Sequence, residues 1–146
     1  MKKQNKTQEK VEKQNIITVS GKRKTAIAKA TIKQGDGRIR VNKKPIELYP
    51  YFQKLPLLEP IRIAEDTLKQ KNFDIEVNVK GGGSESQAEA SRLSIAKAIV
   101  AFTKSQELKN AYLNYDRSLL VADVRRKEAY KPGDSKARAS RQKSYR

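Results

Sequence analysis

The sequence predicts a single α+β or α/β domain in which helices pack on one face of a mixed sheet. Three observations carry this reading. Residues 26–33 and 73–79 alternate apolar and polar side chains with the period of a strand. Residues 85–104 instead place Leu93, Ala96, Ile99, Val100 and Thr103 on one helical stripe. The elements run strands, helix, strand, helix, strand over 146 residues, the length of one domain with a sizeable core.

Residues 1–15 are polar and rich in Lys and Gln, and read as a disordered basic leader. Ile16 to Val19 is a short β-branched run that ends at Ser20-Gly21, a strand followed by a turn. From Ala26 to Lys33, residues Ile27, Lys29, Thr31 and Lys33 fall on one side, and Ala28, Ala30 and Ile32 on the other. Gly35-Asp36-Gly37 supplies turn residues that tolerate positive φ, and Arg38-Ile39-Arg40-Val41 alternates again. A β-hairpin joining these two runs is expected. Prolines at 45, 50, 56 and 60 argue against continuous helix across that stretch. Ile61 to Lys69 suits a short helix with Ile61, Ala64 and Leu68 on one face. In the next strand Phe73, Ile75, Val77 and Val79 share the side to be buried, with Asp74, Glu76 and Asn78 opposite. Gly81-Gly82-Gly83 breaks that strand, and Ser84 or Ser86 is a candidate cap for the long helix. Leu108 to Tyr112 suits a second short helix, and Leu119 to Ala122 a short buried strand. After Asp123 the apolar pattern stops. The globular body is therefore expected over 16–123 and an extended basic tail over 124–146, with no internal repeat.

Charge narrows the function. Lys and Arg number 33 against 16 Asp and Glu, a formal +17. Such a balance indicates a nucleic-acid partner ahead of an anionic membrane. The tail holds nine of these cations (Arg125, Arg126, Lys127, Lys131, Lys136, Arg138, Arg141, Lys143 and Arg146) against Glu128 and Asp134. It repels itself and has little to bury, so it should order only against a polyanion. Fully extended, at ~3.4 Å per residue, it reaches roughly 70 Å, beyond the width of the domain. With no Cys and no His, disulfides, thiolate and imidazole metal sites, and Ser-His or Cys-His catalytic pairs are excluded. Neither a signal peptide nor an apolar run near the ~20 residues of a membrane span is evident. No cofactor and no metal are expected.

Gly21-Lys22-Arg23-Lys24-Thr25, read as the loop between the first strand and the hairpin, sets three adjacent cations where several phosphates could be met. Gly81-Gly82-Gly83-Ser84 either makes a tight turn before a capped helix or allows an RNA backbone to approach closely. Its continuation, Glu85-Ser86-Gln87, lacks the Gly-Lys-Ser/Thr close of a nucleotide loop. Tyr112 and Tyr115, beside Asp116-Arg117, could stack on bases, but burial preferences favour the rim of a core. Glu65-Asp66 reads as a solvated helix end rather than a catalytic pair.

These residues also carry a resemblance. Gly-Lys-Arg-Lys-Thr-Ala at 21–26, Gly-x-Gly-x-Ile at 35–39, Val-Lys-Gly-Gly-Gly at 79–83 with Gln87-Ala88, Leu-x-x-Ala-Asp-x-Arg at 119–125 and the terminal Gln-Lys-Ser-Tyr-Arg are similar to the small-subunit ribosomal protein S-nine family, over about residues 16–146. The ending resembles the archaeal and eukaryotic branch. The resemblance implies a two-layer α/β sandwich like the second domain of ribosomal protein S-five, with a left-handed β-α-β crossover, an exception to the usual right-handed rule. It implies a cytoplasmic ribosomal protein present once per ribosome in the head of the small subunit. Its partners would be small-subunit rRNA, P-site tRNA and neighbouring head proteins, with no membrane. Lys22, Arg23, Lys24, Gly81, Gly82, Gly83, Arg117, Arg125, Arg126, Lys127, Lys131, Lys136, Arg138 and Arg141 would contact rRNA. Lys143, Ser144, Tyr145 and Arg146 would lie near the anticodon stem-loop. Ser84-Glu85-Ser86 departs from the family's Gly before Gln87. Charge alone would also suit an architectural DNA-binding protein.

Overall fold

The computed structural model describes residues 16–69, 72–133 and 136–138. Strands β1 (Ile17–Arg23), β2 (Ala26–Gln34), β3 (Ile39–Val41), β4 (Lys44–Pro45) and β5 (Phe73–Lys80) form one mixed sheet in the order β1-β2-β5-β3-β4. Helices α1 (Tyr51–Leu68), α2 (Ser84–Thr103) and α3 (Gln106–Tyr115) cover one face. The expected fold class, a mixed sheet with helices on one side, is the one observed, and it is consistent with the S-five domain-2-like fold that the resemblance implies. The strand alternation explains the layering. Ala26, Ala28, Ala30 and Ile32 of β2 and Phe73, Ile75, Val77 and Val79 of β5 are buried under the helices, and the intervening residues face outward.

Helix α2 packs against both the sheet and α1, so it is buried on more sides than one stripe suggests. Ala90, Ser91, Ser94, Ile95 and Ala98 are buried along with the expected Leu93, Ala96 and Ile99. Ser91 and Ser94 satisfy their buried hydroxyls by donating to the carbonyls of Gln87 and Ser91, at 2.7 and 2.9 Å. The helix comes this close because Gly21 has no side chain. A Cβ there would stand 2.4 Å from the Ala90 carbonyl oxygen and 2.8 Å from the Ser94 nitrogen.

Four local expectations change. Gly21 is not a turn residue: β1 runs through it to Arg23, and the turn falls at Lys24-Thr25. The expected hairpin between β2 and β3 does not form, because β5 lies between them, antiparallel to β2 and parallel to β3. β5 offers β2 a partner of its own length, whereas β3 has three residues. The Gly35-Asp36-Gly37 loop wraps the end of β5 instead. Gly35 N–H donates to the Asn72 carbonyl at 3.3 Å, and Arg38 N–H donates to Asp74 Oδ1 at 2.9 Å. A Cβ on Gly35 would collide with that Asp74 carboxyl.

The prolines do not prevent a helix. Pro50 precedes α1, and Pro56 and Pro60 sit inside it. Each interior Pro removes a backbone hydrogen bond and costs about 3 kcal/mol. Burial of Leu57, Pro60, Ile61 and Ala64 against α2 and α3 offsets this, at about 1.5–3 kcal/mol for each large side chain. The fully buried Tyr112 of α3 adds a hydrogen bond from its hydroxyl to the Pro60 carbonyl, 2.6 Å long. Finally, the strand expected over 119–122 does not form: residues 117–119 make a 3-10 turn, and of 119–122 only Leu119 is buried.

Gly21→Ala should destabilise the domain by about 1–3 kcal/mol in urea unfolding, since the clash is with helix backbone. Gly83→Ala, where a Cβ meets nothing within 4 Å, should fall within about 0.5 kcal/mol of the parent. Equal effects would contradict this account of the packing.

Candidate nucleic-acid interface

The β1–β2 turn and the β5–α2 turn meet at one end of the sheet. Gly81 and Gly82 have φ of +77° and +68°, in the left-handed region that favours glycine. They also pass close to the neighbouring turn. A Cβ on Gly81 would lie 2.7 Å from the Thr25 carbonyl oxygen, and one on Gly82 would lie 3.0 Å from Ala26 Cβ. Gly83, by contrast, faces open space and caps α2 through its backbone, without a side-chain cap from Ser84 or Ser86. Gln87 ties the turn down, donating from Nε2 to the Gly81 carbonyl at 3.2 Å. Glu85 in the first turn of α2 adds negative charge where the helix dipole would otherwise favour an anion.

Six of the residues read from the sequence thus come together here: Lys22, Lys24, Gly81, Gly82, Gly83 and Arg126, whose guanidinium donates to the Lys24 carbonyl. Lys24 holds φ at +51°, a conformation that costs a non-glycine residue about 1 kcal/mol or more. A cation is therefore kept at the tip of this turn where glycine would sit more comfortably. Lys22 and Lys24 are exposed and make no ion pair among the described residues.

Arg23 is different. It points to the helix side of the sheet, where it pairs with Glu89 of α2 at 2.5 Å and with Asp123. Asp123 also accepts from Arg125 Nη2 at 2.6 Å and from the Arg125 backbone N–H at 2.8 Å. The root of the tail is thereby pinned to β1 and α2. Arg125, and behind it Arg23, hold the Asp123 carboxyl well below the usual carboxylate range. A second clamp, which sequence reading missed, centres on Arg92 of α2. Its Nε lies 2.6 Å from Glu59 of α1, an ion pair without good hydrogen-bond alignment, and its Nη2 lies 2.9 Å from Asp116. Burial works to raise the Asp116 pKa, but bonds from Ser118 and Arg92 outweigh it and leave it lowered. No short motif announces this clamp, because its members come from three elements.

Arg117, Lys127, Lys131 and Lys136 are exposed along the outer surface and the tail. Lys127 stands over the Tyr130 ring at 4.6 Å, and Arg138 pairs with Glu128 at 2.9 Å, both in solvent. Tyr112, expected with Tyr115 at the rim of the core, is fully buried in it, and Tyr115 is exposed. Arg141, Lys143, Ser144, Tyr145 and Arg146 lie outside the described residues. Among the described residues no group of Asp and Glu could hold a metal ion, and no helix is long and apolar enough to cross a membrane.

Two outcomes should follow. Lys24→Gly removes backbone strain along with the charge, so it should weaken RNA binding severalfold while leaving the melting temperature unchanged or higher. Parallel loss of both would contradict the role given to this turn. The depressed Asp123 and Asp116 stabilise the fold above about pH 4, where the unfolded chain ionises its carboxyls, and that stabilisation is lost as pH falls toward their lower folded values. Asp123→Asn should flatten the acid limb of a stability profile taken by urea unfolding between about pH 7 and pH 3.

Comparison with known proteins gives the family of the chain. Residues 21–146 match the family described as ribosomal protein S9/S16. Small ribosomal subunit protein uS9 of Methanococcus maripaludis strain C7 is 52% identical over 134 residues, covering 90% of this chain and 98% of the relative. The protein of the same name from Methanococcus vannielii is 50% identical over 134 residues, covering 90% and 98%. That from Thermoplasma volcanium is 50% identical over 133 residues, covering 90% and 99%. The relatives are archaeal, in keeping with the branch suggested by the terminal residues. By the extent of the match and the level of identity, the chain belongs to the ribosomal protein S9/S16 family.

Proposed function

We propose that this chain is a structural, non-catalytic constituent of the small ribosomal subunit, working in the cytoplasm, and that it holds the subunit's rRNA mainly through backbone phosphates. The observation that carries the reading is a division of charge. Arg23 and Arg92 are consumed by carboxylates inside the fold, whereas Lys22, Lys24 and the tail cations Lys127 and Lys131 find no acid among the described residues. Unpaired cations gathered at one end and along an arm suit a polyanion, and membership of a ribosomal protein family supports rRNA as that polyanion.

The finer assignment concerns the arm. Rooted at Asp123 and directed past the Lys24 turn by Arg126, it would run between rRNA helices in the subunit head, beside neighbouring head proteins. Lys143, Ser144, Tyr145 and Arg146 would then approach the anticodon stem-loop of the P-site tRNA. A terminal guanidinium suits that place, because its planar donors can grip a phosphate with two bonds.

A tagged copy should sediment with small subunits in a sucrose gradient. Its release from subunits, with equal affinity for duplex DNA and rRNA, would favour the architectural DNA-binding alternative. Removal of residues 143–146 should leave assembly intact but weaken P-site tRNA retention roughly ten- to hundredfold, the equivalent of about 1.5–3 kcal/mol for a charged hydrogen-bonded contact. Unchanged retention would remove the tRNA assignment. Removal of 124–146 should impair incorporation into subunits, and normal incorporation would count against the arm's role in assembly.

A further inference from the structure

The face of the sheet away from the helices is open, and its charges are sorted by row. Strand register sets Lys22, Ile27 and Lys80 side by side across β1, β2 and β5, next to the Lys24 turn and Gly81. The following row is Ser20, Lys29 and Asn78. All six are exposed, and none of the three lysines makes an ion pair among the described residues. Acids appear only farther along, where Asp74 and Glu76 stand beside Arg38 and Arg40, and Asp74 is already engaged by the Arg38 backbone N–H at 2.9 Å. Among the described residues, the half of the face nearest the two turns therefore holds three cations without an ion-pair partner and no acid.

The polar residues between those cations matter as much as the charge. Ser20 and Asn78 flank Lys29, and strands about 4.8 Å apart bring all three within reach of one nucleic-acid backbone. No aromatic side chain stands in either row, so there is no platform on which unpaired bases could stack. A gently twisted surface of cations, a hydroxyl and an amide complements the wide, shallow minor groove of A-form RNA, which displays phosphates and 2′-hydroxyls.

We propose that this half of the open sheet face is a binding surface for double-stranded RNA. Lys22, Lys29 and Lys80 neutralise phosphates, and Ser20 and Asn78 meet ribose 2′-hydroxyls. The inference rests on the rRNA-binding reading and extends it in two ways. It adds Lys29, Lys80, Ser20 and Asn78 to the interface, and it names duplex rather than single strand as what they touch.

The test uses the full chain, an RNA duplex of about 16 base pairs, a DNA duplex of the same sequence and the single-stranded RNA. Lys29→Gln with Lys80→Gln should lower the salt dependence of RNA-duplex affinity by about two phosphate contacts, with an unchanged melting temperature. Ser20→Ala with Asn78→Ala should leave the salt slope alone and narrow the preference for RNA duplex over DNA duplex severalfold. If the lysine pair has no effect while Lys24→Gln does lower the slope, the sheet-face inference is overturned and the rRNA reading stands. If the parent chain shows no salt-dependent RNA affinity at all, both are overturned. Tighter binding to the single strand than to the duplex, or an unchanged RNA-to-DNA ratio in the Ser20/Asn78 variant, also overturns the inference.

Discussion

The close approach of α2 to β1 at Gly21 is the constraint on which the other features depend. With a side chain there, the helix would have to retreat from the sheet. Glu89 and Arg92 ride on that helix, and their reach is set by it. Glu89 meets Arg23 across the helix–strand contact, and Arg92 spans to α1 and to the 3-10 turn at 117–119. A missing methyl group thus governs two arginine clamps, and through Asp123 the point at which the tail leaves the domain.

The clamps also explain how a chain of formal +17 can present a defined surface rather than a diffuse positive cloud. Glu59, Glu89, Asp116 and Asp123 are spent on the helix side, where they organise packing. Among the described residues, Lys22, Lys29 and Lys80 on the open sheet face and Lys131 in the tail keep cations without internal partners. Pairing a surface ion gains about 0–1 kcal/mol, but leaving it unpaired preserves its full attraction for a phosphate chain. At Lys24 a left-handed backbone is held by lysine, where glycine would sit with less strain.

Much of this was legible from residue order. The long helix, the alternating strands, the one-sided burial and the breakpoint at 81–83 follow from periodicity, which reports on each segment by itself. Pairing does not. Gly-Asp-Gly between two alternating runs looks like a hairpin, and nothing local reveals that β5, more than thirty residues downstream, will lie between them. Pro56 and Pro60 mislead for a similar reason: their cost is local, while the compensating burial and the Tyr112 hydroxyl come from other helices. Among the basic residues, composition pointed to a nucleic-acid partner but could not separate Arg23, turned inward to carboxylates, from Lys22 and Lys24, turned outward. That distinction rests on strand alternation, which carries β1 two residues beyond the glycine at which it was expected to end.

The domain is expected to fix only the root of the basic arm, with the rest shaped by the polyanion around it. Amide hydrogen exchange of the free chain in RNA-free buffer tests this directly. Residues 127–133 should exchange at the rates of an unstructured peptide while α2 and β5 stay protected, and the arm should gain protection only when rRNA is added. Strong protection of 127–133 in the RNA-free monomer would contradict it.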